Sequence, residues 1–341
     1  MDRRRESTNP ILSVGQQAVA EAAHLSPRRA KRSGIWLHNP LREPVMSRVS
    51  YSAAQQDLYY PAKDLTHYST ERPKSDAELC AWMSLLAYCD MGTSFAFDQV
   101  KIAAKLAPLG FRPVKFAESK DQAKKGGTHG LVAVHDDAVE ANKLAIVAFR
   151  GTNKDDPRDV VDDLEPQLVA WRGPGKVFEG FKDAFEEVVD DLLPAVQSIN
   201  YKLLFTGHSL GAALATLLAA VQKPSALYTI GSPRAGDQEF VAALSAVNNS
   251  RYVDCCDVVT TLPPPQFGHV HLGNPLYIDR QRKVIPNPGD DFIASDRLRA
   301  GLAYFFRYAW RPGDVRVRFL ADHAPINYAT AIAASQTSAL S

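Results

Sequence analysis

Nowhere in its 341 residues does the chain hold the roughly 18–20 consecutive apolar side chains of a membrane span. Its first residues, Met1-Asp2-Arg3-Arg4-Arg5-Glu6, lack the continuous apolar stretch of a secretory signal, so export is unsupported. Cysteine is scarce, and its four copies do not make a disulfide framework. Cys80 and Cys89 fall on one expected helix, roughly 13 Å apart along its axis and beyond the ~7 Å reach of a bridge. Cys255 and Cys256 are neighbours on an expected strand and so point to opposite faces. All four read as buried free thiols, which favours a reducing, cytoplasmic compartment. No Cys and His cluster has zinc spacing, so no metal site is expected. An excess of charge of one sign is also missing: the formal net charge is +1, which argues against a nucleic-acid binder.

What is present is a typical globular composition, 45% apolar and 23% charged, with length enough for one large core. Charge is unevenly spread. Residues 1–50 hold nine Lys and Arg against four Asp and Glu, about +5, which leaves about −4 for the rest. Up to residue 70 the chain shows scattered Pro, Arg, Ser and Tyr without periodicity and reads as an irregular basic arm, solvated rather than lipid-bound. Met46 opens a stretch that could be an alternative start, with residues 1–45 an upstream extension.

From Ser75 a capping signature with Asp76 and Glu78 starts a helix that runs through Ala87, and a second helix is expected over 97–106. Strands then alternate with helices: strands at 131–135, 144–149, 201–206, 227–230 and 251–256, and helices at 180–199, 212–222 and 236–247. Pro194 should kink the first of these helices. A hairpin of 276–279 with 283–285 follows. Such alternation predicts a mostly parallel sheet covered by helices on both faces.

Gly207-His208-Ser209-Leu210-Gly211 stands between the apolar run Leu203-Leu204-Phe205 and the helix former run 212–220. A G-x-S-x-G between strand and helix reads as a nucleophile elbow, in which small neighbours let strand and helix close around a strained serine. A serine needs a base and an orienting acid, expected in that fold after the nucleophile in the order acid, then histidine. Asp257, at the end of a strand, is the first candidate acid, with Asp254 as runner-up. His269, His271 and His323 are the candidate bases. The first two share a face of an expected strand, as structural histidines do, whereas His323 sits in a turn before a short C-terminal helix. Oxyanion donors are expected from the Leu210 N–H and from the turn Phe149-Arg150-Gly151-Thr152, where Thr152 adds a hydroxyl.

Five ordered blocks carry a resemblance: 148–152, 206–215, Gly231 to Asp237, Asp257-Val258-Val259 with Leu262-Pro263-Pro264 and His271-Leu272-Gly273, and Asp322-His323 with Asn327-Tyr328. Together they resemble the fungal-type, class 3 lipase family over roughly residues 75–335. The resemblance implies an α/β-hydrolase fold, with residues 1–70 as an N-terminal arm or extension and 71–341 as a single domain. It implies a carboxylic-ester hydrolase in which Ser209 is the nucleophile, Asp257 the acid and His323 the base, with Thr152 and Leu210 at the oxyanion positions and His271 as a non-triad histidine. The substrate would be an acylglycerol or another acyl ester, with no metal or organic cofactor. Phospholipase, feruloyl-type esterase and thioesterase activities use the same triad, and a non-catalytic module is the remaining rival.

The chain also departs from the family. Phe178 stands where the family commonly has a histidine. Leu298, Leu302, Tyr304, Phe305, Phe306, Tyr308 and Trp310 crowd an expected helix ahead of His323 and read first as core packing, then as a pocket wall or membrane contact. After Thr152, where fungal lipases carry an apolar lid, residues 153–163 hold seven charged side chains among eleven, with Val160 and Val161 the only large apolar ones. Such a segment offers no broad apolar face. Weak or absent interfacial activation is therefore expected: the hydrolysis rate of a short-chain ester should pass smoothly through its solubility limit, and a sharp rise there would contradict the reading.

Overall fold

A computed structural model describes residues 51–61, 73–92, 96–119, 127–151 and 166–338. Residues 51–61, expected within the irregular arm, include a short helix α1 (Gln55–Tyr59) whose Leu58 is buried. Helix α2 (Asp76–Leu86) starts where Ser75 accepts the Glu78 N–H, and α3 (Gln99–Leu106) where Asp98 accepts that of Lys101.

Among the described residues, ten strands follow these helices in two sheets. The large sheet has the order β1 (Phe111–Glu118), β2 (His129–His135), β3 (Leu144–Phe149), β6 (Lys202–His208), β7 (Ala226–Ile230), β8 (Asn249–Asp254), β9 (Pro275–Ile278) and β10 (Val284–Pro286). Its five central strands, β3 to β9 in that order, pair in parallel, while both ends are antiparallel. The small strands β4 (Leu168–Ala170) and β5 (Lys176–Phe178) pair with each other. Strand β1 was not foreseen, because Pro113, Arg112 and Lys115 break the apolar alternation; as the edge strand it tolerates a proline and a register shift between Pro113 and Lys115.

Successive residues of the inner strands are apolar because both faces are covered. Leu131, Ala133, Ile146, Ala148 and Leu204 face one cluster with α2 and the C-terminal helix, while Val132, Val134, Ala145, Val147 and Phe205 face the other. This second layer is built by α4 (Glu179–Glu186), α5 (Val189–Gln197) and α6 (Leu210–Val221). The mostly parallel sheet between helical layers is the expected α/β-hydrolase arrangement.

Several expectations need correction. The helix expected over 180–199 is two helices, broken at 187–188 rather than kinked at Pro194. Because α5 restarts at Val189, the proline's missing N–H leaves without a partner only the carbonyl of Asp190, an exposed first-turn residue that water can satisfy. Helix α7 covers only Gln238–Ala243. Cys255 and Cys256 do not point apart: β8 ends at Asp254, whose carboxylate accepts the Cys255 N–H, and the turn brings the two sulfurs to 3.1 Å, both as free thiols. Strand alternation stops with the strand.

The crowd before His323 is core packing only in part: Tyr304 is buried in the first cluster and Tyr308 packs against the same cluster, while Leu298, Leu302, Phe305, Phe306 and Trp310 are exposed. It lies on α8 (Asp290–Arg307) and the turn beyond it, and α8 buries only Asp296, Ala300 and Tyr304. The chain closes with α9 (Arg318–Ala321) and α10 (Pro325–Ser338). Among the described residues no helix is long and apolar enough to cross a membrane.

At the β6–α6 junction the glycines have a steric cause. A Cβ on Gly207 would lie 2.2 Å from the backbone of Gly211, and one on Gly211 would lie 2.3 Å from the Phe149 carbonyl oxygen. Both obstacles are backbone and cannot rotate away. Gly211→Ala should therefore cost about 3 kcal/mol or more, or leave the protein insoluble, whereas Gly301→Ala, with nothing within 4 Å of the new atom, should be neutral or slightly stabilising. Equal denaturant midpoints for the two variants would contradict this packing.

Candidate active site

Ser209 follows β6 directly and precedes the first residue of α6, with φ 58° and ψ −128°. A non-glycine residue in this region costs roughly 1–3 kcal/mol and persists only where its surroundings hold it. Here the Ser209 N–H donates to the Ile230 carbonyl of the neighbouring strand at 3.0 Å. The turn leaves Leu210 at the first helical position, where its N–H has no acceptor within the helix.

Of the three candidate histidines, His323 is the one the fold brings to the serine. Its Nε2 lies 2.9 Å from Ser209 Oγ, and its Nδ1 lies 3.0 and 2.9 Å from the two carboxylate oxygens of Asp257. The carboxylate accepts only, so Nδ1 carries the proton and Nε2 accepts from the serine hydroxyl. All three side chains are buried. Asp257 is held from two further directions: the Val259 N–H donates to Oδ1 at 2.9 Å and the Tyr328 hydroxyl to Oδ2 at 2.5 Å.

The other candidates lie elsewhere. Asp254 is buried against Arg282 and never reaches a histidine; burial raises its carboxyl against the opposing pull of the guanidinium. His269 and His271 are not on a strand; Val270 between them forms only a bridge to Gly236. His269 packs against Phe178, the residue at the family's histidine position, while His271 donates from Nε2 to the Thr260 carbonyl at 2.8 Å. Thr260 in turn donates its hydroxyl to the Asp257 carbonyl, so His271 supports the turn that carries the acid. Thr152 and the charged segment 153–163 lie outside the described residues, but Gly151 is close: a Cβ there would sit 3.1 Å from Ser209 Cβ.

Three supports of the site were not anticipated. His208, buried beside the nucleophile, accepts the Tyr88 hydroxyl at Nδ1 (2.7 Å) and donates from Nε2 to the carbonyl of His323 (2.8 Å). The Tyr88 hydroxyl also lies against Gly151, where an added Cβ would sit 2.0 Å from it, so Tyr88 and His208 stand between the expected oxyanion loop and the base loop. Asp322, just before the base, accepts the N–H of Cys256, just before the acid, at 3.1 Å, and also holds Arg318 and the Tyr51 hydroxyl. Asn327 clamps Ser52 with two hydrogen bonds of 2.8 Å, one to its N–H and one to its carbonyl. Contacts between distant residues cannot be found from spacing; His208 was visible only as a member of the elbow, and Asp322 and Asn327 only as members of the block around His323, with no role assigned.

Cys255, Cys256 and Asp322 bring three potential metal-ligand atoms within 4.8 Å of one another. The Asp322 carboxylate is already taken up by Tyr51, Arg318 and the Cys256 N–H, and it builds the loop.

Burial keeps several histidines of this region neutral, His208 and His129 among them. His208 is held well below the usual imidazole range by burial and then by His323, and His129 is pushed down to about 3 by burial and then by Arg150. Unfolding exposes both to protonation near pH 6.5. Their neutral burial therefore contributes fully above about pH 6.5, and stability falls as the pH drops below that, by about 1.4 kcal/mol per pH unit for each. Denaturant unfolding from about pH 8 to about pH 5 should show a plateau and then this decline before most carboxylates titrate; a flat profile would contradict it.

With this geometry in view, the family described as Lipase (class 3) matches residues 146–267, the stretch from β3 to the turn after Asp257. A lipase of Rhizomucor miehei is 33% identical over 188 residues, covering 50% of this chain and 50% of its own. The secreted mono- and diacylglycerol lipase A of Penicillium cyclopium is 36% identical over 180 residues, 48% of this chain and 56% of its own. Phospholipase A1-II 3 of Oryza sativa subsp. indica is 30% identical over 207 residues, 47% and 49%. The chain thus spans about half the length of these relatives. By this match and by these relatives, the chain is similar to fungal-type class 3 lipases over about half of its length.

Proposed function

We propose that this chain is a serine carboxylic-ester hydrolase acting on acylglycerols, with Ser209 as nucleophile, His323 as base and Asp257 as the orienting acid. The single observation that carries the reading is the unbroken hydrogen-bonded line from Ser209 Oγ through the two ring nitrogens of His323 to Asp257, with contacts of 2.9 and 2.9–3.0 Å. Acyl transfer needs this order of groups. Ser209 Oγ attacks the ester carbonyl as its proton passes to Nε2, and the imidazolium formed is stabilised by the buried Asp257 carboxylate. The Leu210 N–H at the start of α6 faces the developing oxyanion, with Thr152 as the second donor. The protonated Nε2 then gives its proton to the departing alcohol. Water, deprotonated by the same nitrogen, releases the acid and frees Ser209.

Acylglycerols are favoured as substrates because relatives named lipase and mono- and diacylglycerol lipase match about half of this chain. Phospholipid hydrolysis is the second reading, supported by the similarity to the rice phospholipase A1.

Ser209→Ala should retain the fold and lower kcat for ester hydrolysis by about 10⁶-fold. Full activity in that variant would end the proposal. Rates on monoacylglycerol, diacylglycerol, triacylglycerol and phosphatidylcholine, compared at equal surface concentration, separate the two substrate readings; faster release of fatty acid from phosphatidylcholine would favour the second.

A further inference from the structure

Helix α8 and the turn after it leave an apolar face in water. Phe306 is 78% exposed and Trp310 73%, with Leu298, Leu302 and Phe305 also exposed beside them. The rings are gathered: Phe305 packs edge-on against Phe306 at 5.6 Å and against Trp310 at 5.2 Å between centroids. Burying such side chains in apolar surroundings is favourable, so a contiguous exposed group points to something that covers it.

The charges around this face identify the partner. From Arg297 to Phe319 the chain carries six arginines and one acid, Asp314. Arg318 is neutralised by Asp322, but Arg299, Arg307, Arg311 and Arg316 are exposed. Arg307 and Arg311 both stack on the Tyr308 ring, which holds their guanidinium groups beside the aromatic cluster. The remaining acids of α8 lie away from it: Asp290 and Asp291 in its first turn, and Asp296 buried on Tyr277 and Arg280. Aromatic rings flanked by arginines suit the headgroup level of an anionic bilayer. A second copy of this face would instead bring like charges together. The face also adjoins the site: a cavity of 430 Å³ opens between α8 and residues 316–319, walled by Tyr304, Phe305, Val317 and Phe319 and by the back of the Asp257 turn.

We propose that this face is a docking surface for anionic phospholipid membranes, with Phe306 and Trp310 entering the interface and Arg307 and Arg311 contacting lipid phosphates. It holds the protein at a lipid surface, and it is independent of whether Ser209 hydrolyses an ester.

The test uses full-length Ser209→Ala protein, which leaves the lipid intact, sedimented with vesicles of phosphatidylcholine alone or mixed with phosphatidylglycerol. Partitioning should favour the mixed vesicles and weaken with salt. Adding Phe306→Ser and Trp310→Ser should lower the partition coefficient at least about tenfold. Adding Arg307→Gln or Arg311→Gln should lower it about fivefold each, on the anionic vesicles only. Tryptophan emission should shift to the blue on vesicles, and Trp310→Phe should remove the shift. Unchanged thermal midpoints in these exposed-site variants separate loss of docking from loss of fold. Equal binding to both vesicle types, undiminished binding by the variants, or a dimer in sedimentation velocity that these substitutions dissolve while vesicle binding persists would each overturn the proposal.

Discussion

Ser209 sits in a backbone conformation that an L-residue does not hold unaided, with φ 58°, and the rest of the site depends on the packing that keeps it there. Strand β6 and helix α6 meet at Gly207 and Gly211 with no room for a side chain, and Gly211 rests on the carbonyl of Phe149 at the end of β3. The same closeness sets the direction of the hydroxyl, presents the first N–H of α6 beside it and brings the loop at Gly151 against the serine. Small residues are needed because backbone meets backbone, and the parallel pairing of β3 with β6 fixes where that meeting occurs.

A second constraint links the two loops that carry the acid and the base. They belong to separate parts of the chain, yet the residue before each is tied to the other through the hydrogen bond from the Cys256 N–H to Asp322. Tyr328 joins them again, donating to Asp257 and accepting the Asp254 N–H. His208 fixes the His323 backbone from the side of the nucleophile. Buried polar groups stabilise only when every member finds a partner, and such a network rigidifies what it joins. The imidazole thus faces the serine before any substrate arrives, which is the preorganisation that the proposed acyl transfer would use. Tyr51 and Ser52 complete the brace from a stretch that shows no pattern of its own.

What was legible in the sequence follows from this physics. The strands, the elbow and the order of Ser209, Asp257 and His323 are written locally, through apolar alternation and through small residues where chains approach. The supports are long-range: Tyr88 reaches His208 across 120 residues and Tyr51 reaches Asp322 across 271, and spacing carries no trace of either. Burial was misread where composition stood in for geometry. The aromatic residues of α8 look like core in one dimension, but of them only Tyr304 joins Asp296 and Ala300 among the fully buried residues of that helix. Cys255 and Cys256 were placed on opposite faces because the end of β8 at Asp254 depends on a carboxylate that bonds the next amide.

The central claim is that Ser209 is activated by a base held in place before substrate binds. Reaction with a fluorophosphonate, followed by intact-mass and peptide mapping, tests it most directly. The account predicts one adduct per chain, located on Ser209, formed rapidly in the native protein and slowed by orders of magnitude in His323→Ala. An adduct on another residue, or undiminished labelling of Ser209 in His323→Ala, would contradict it.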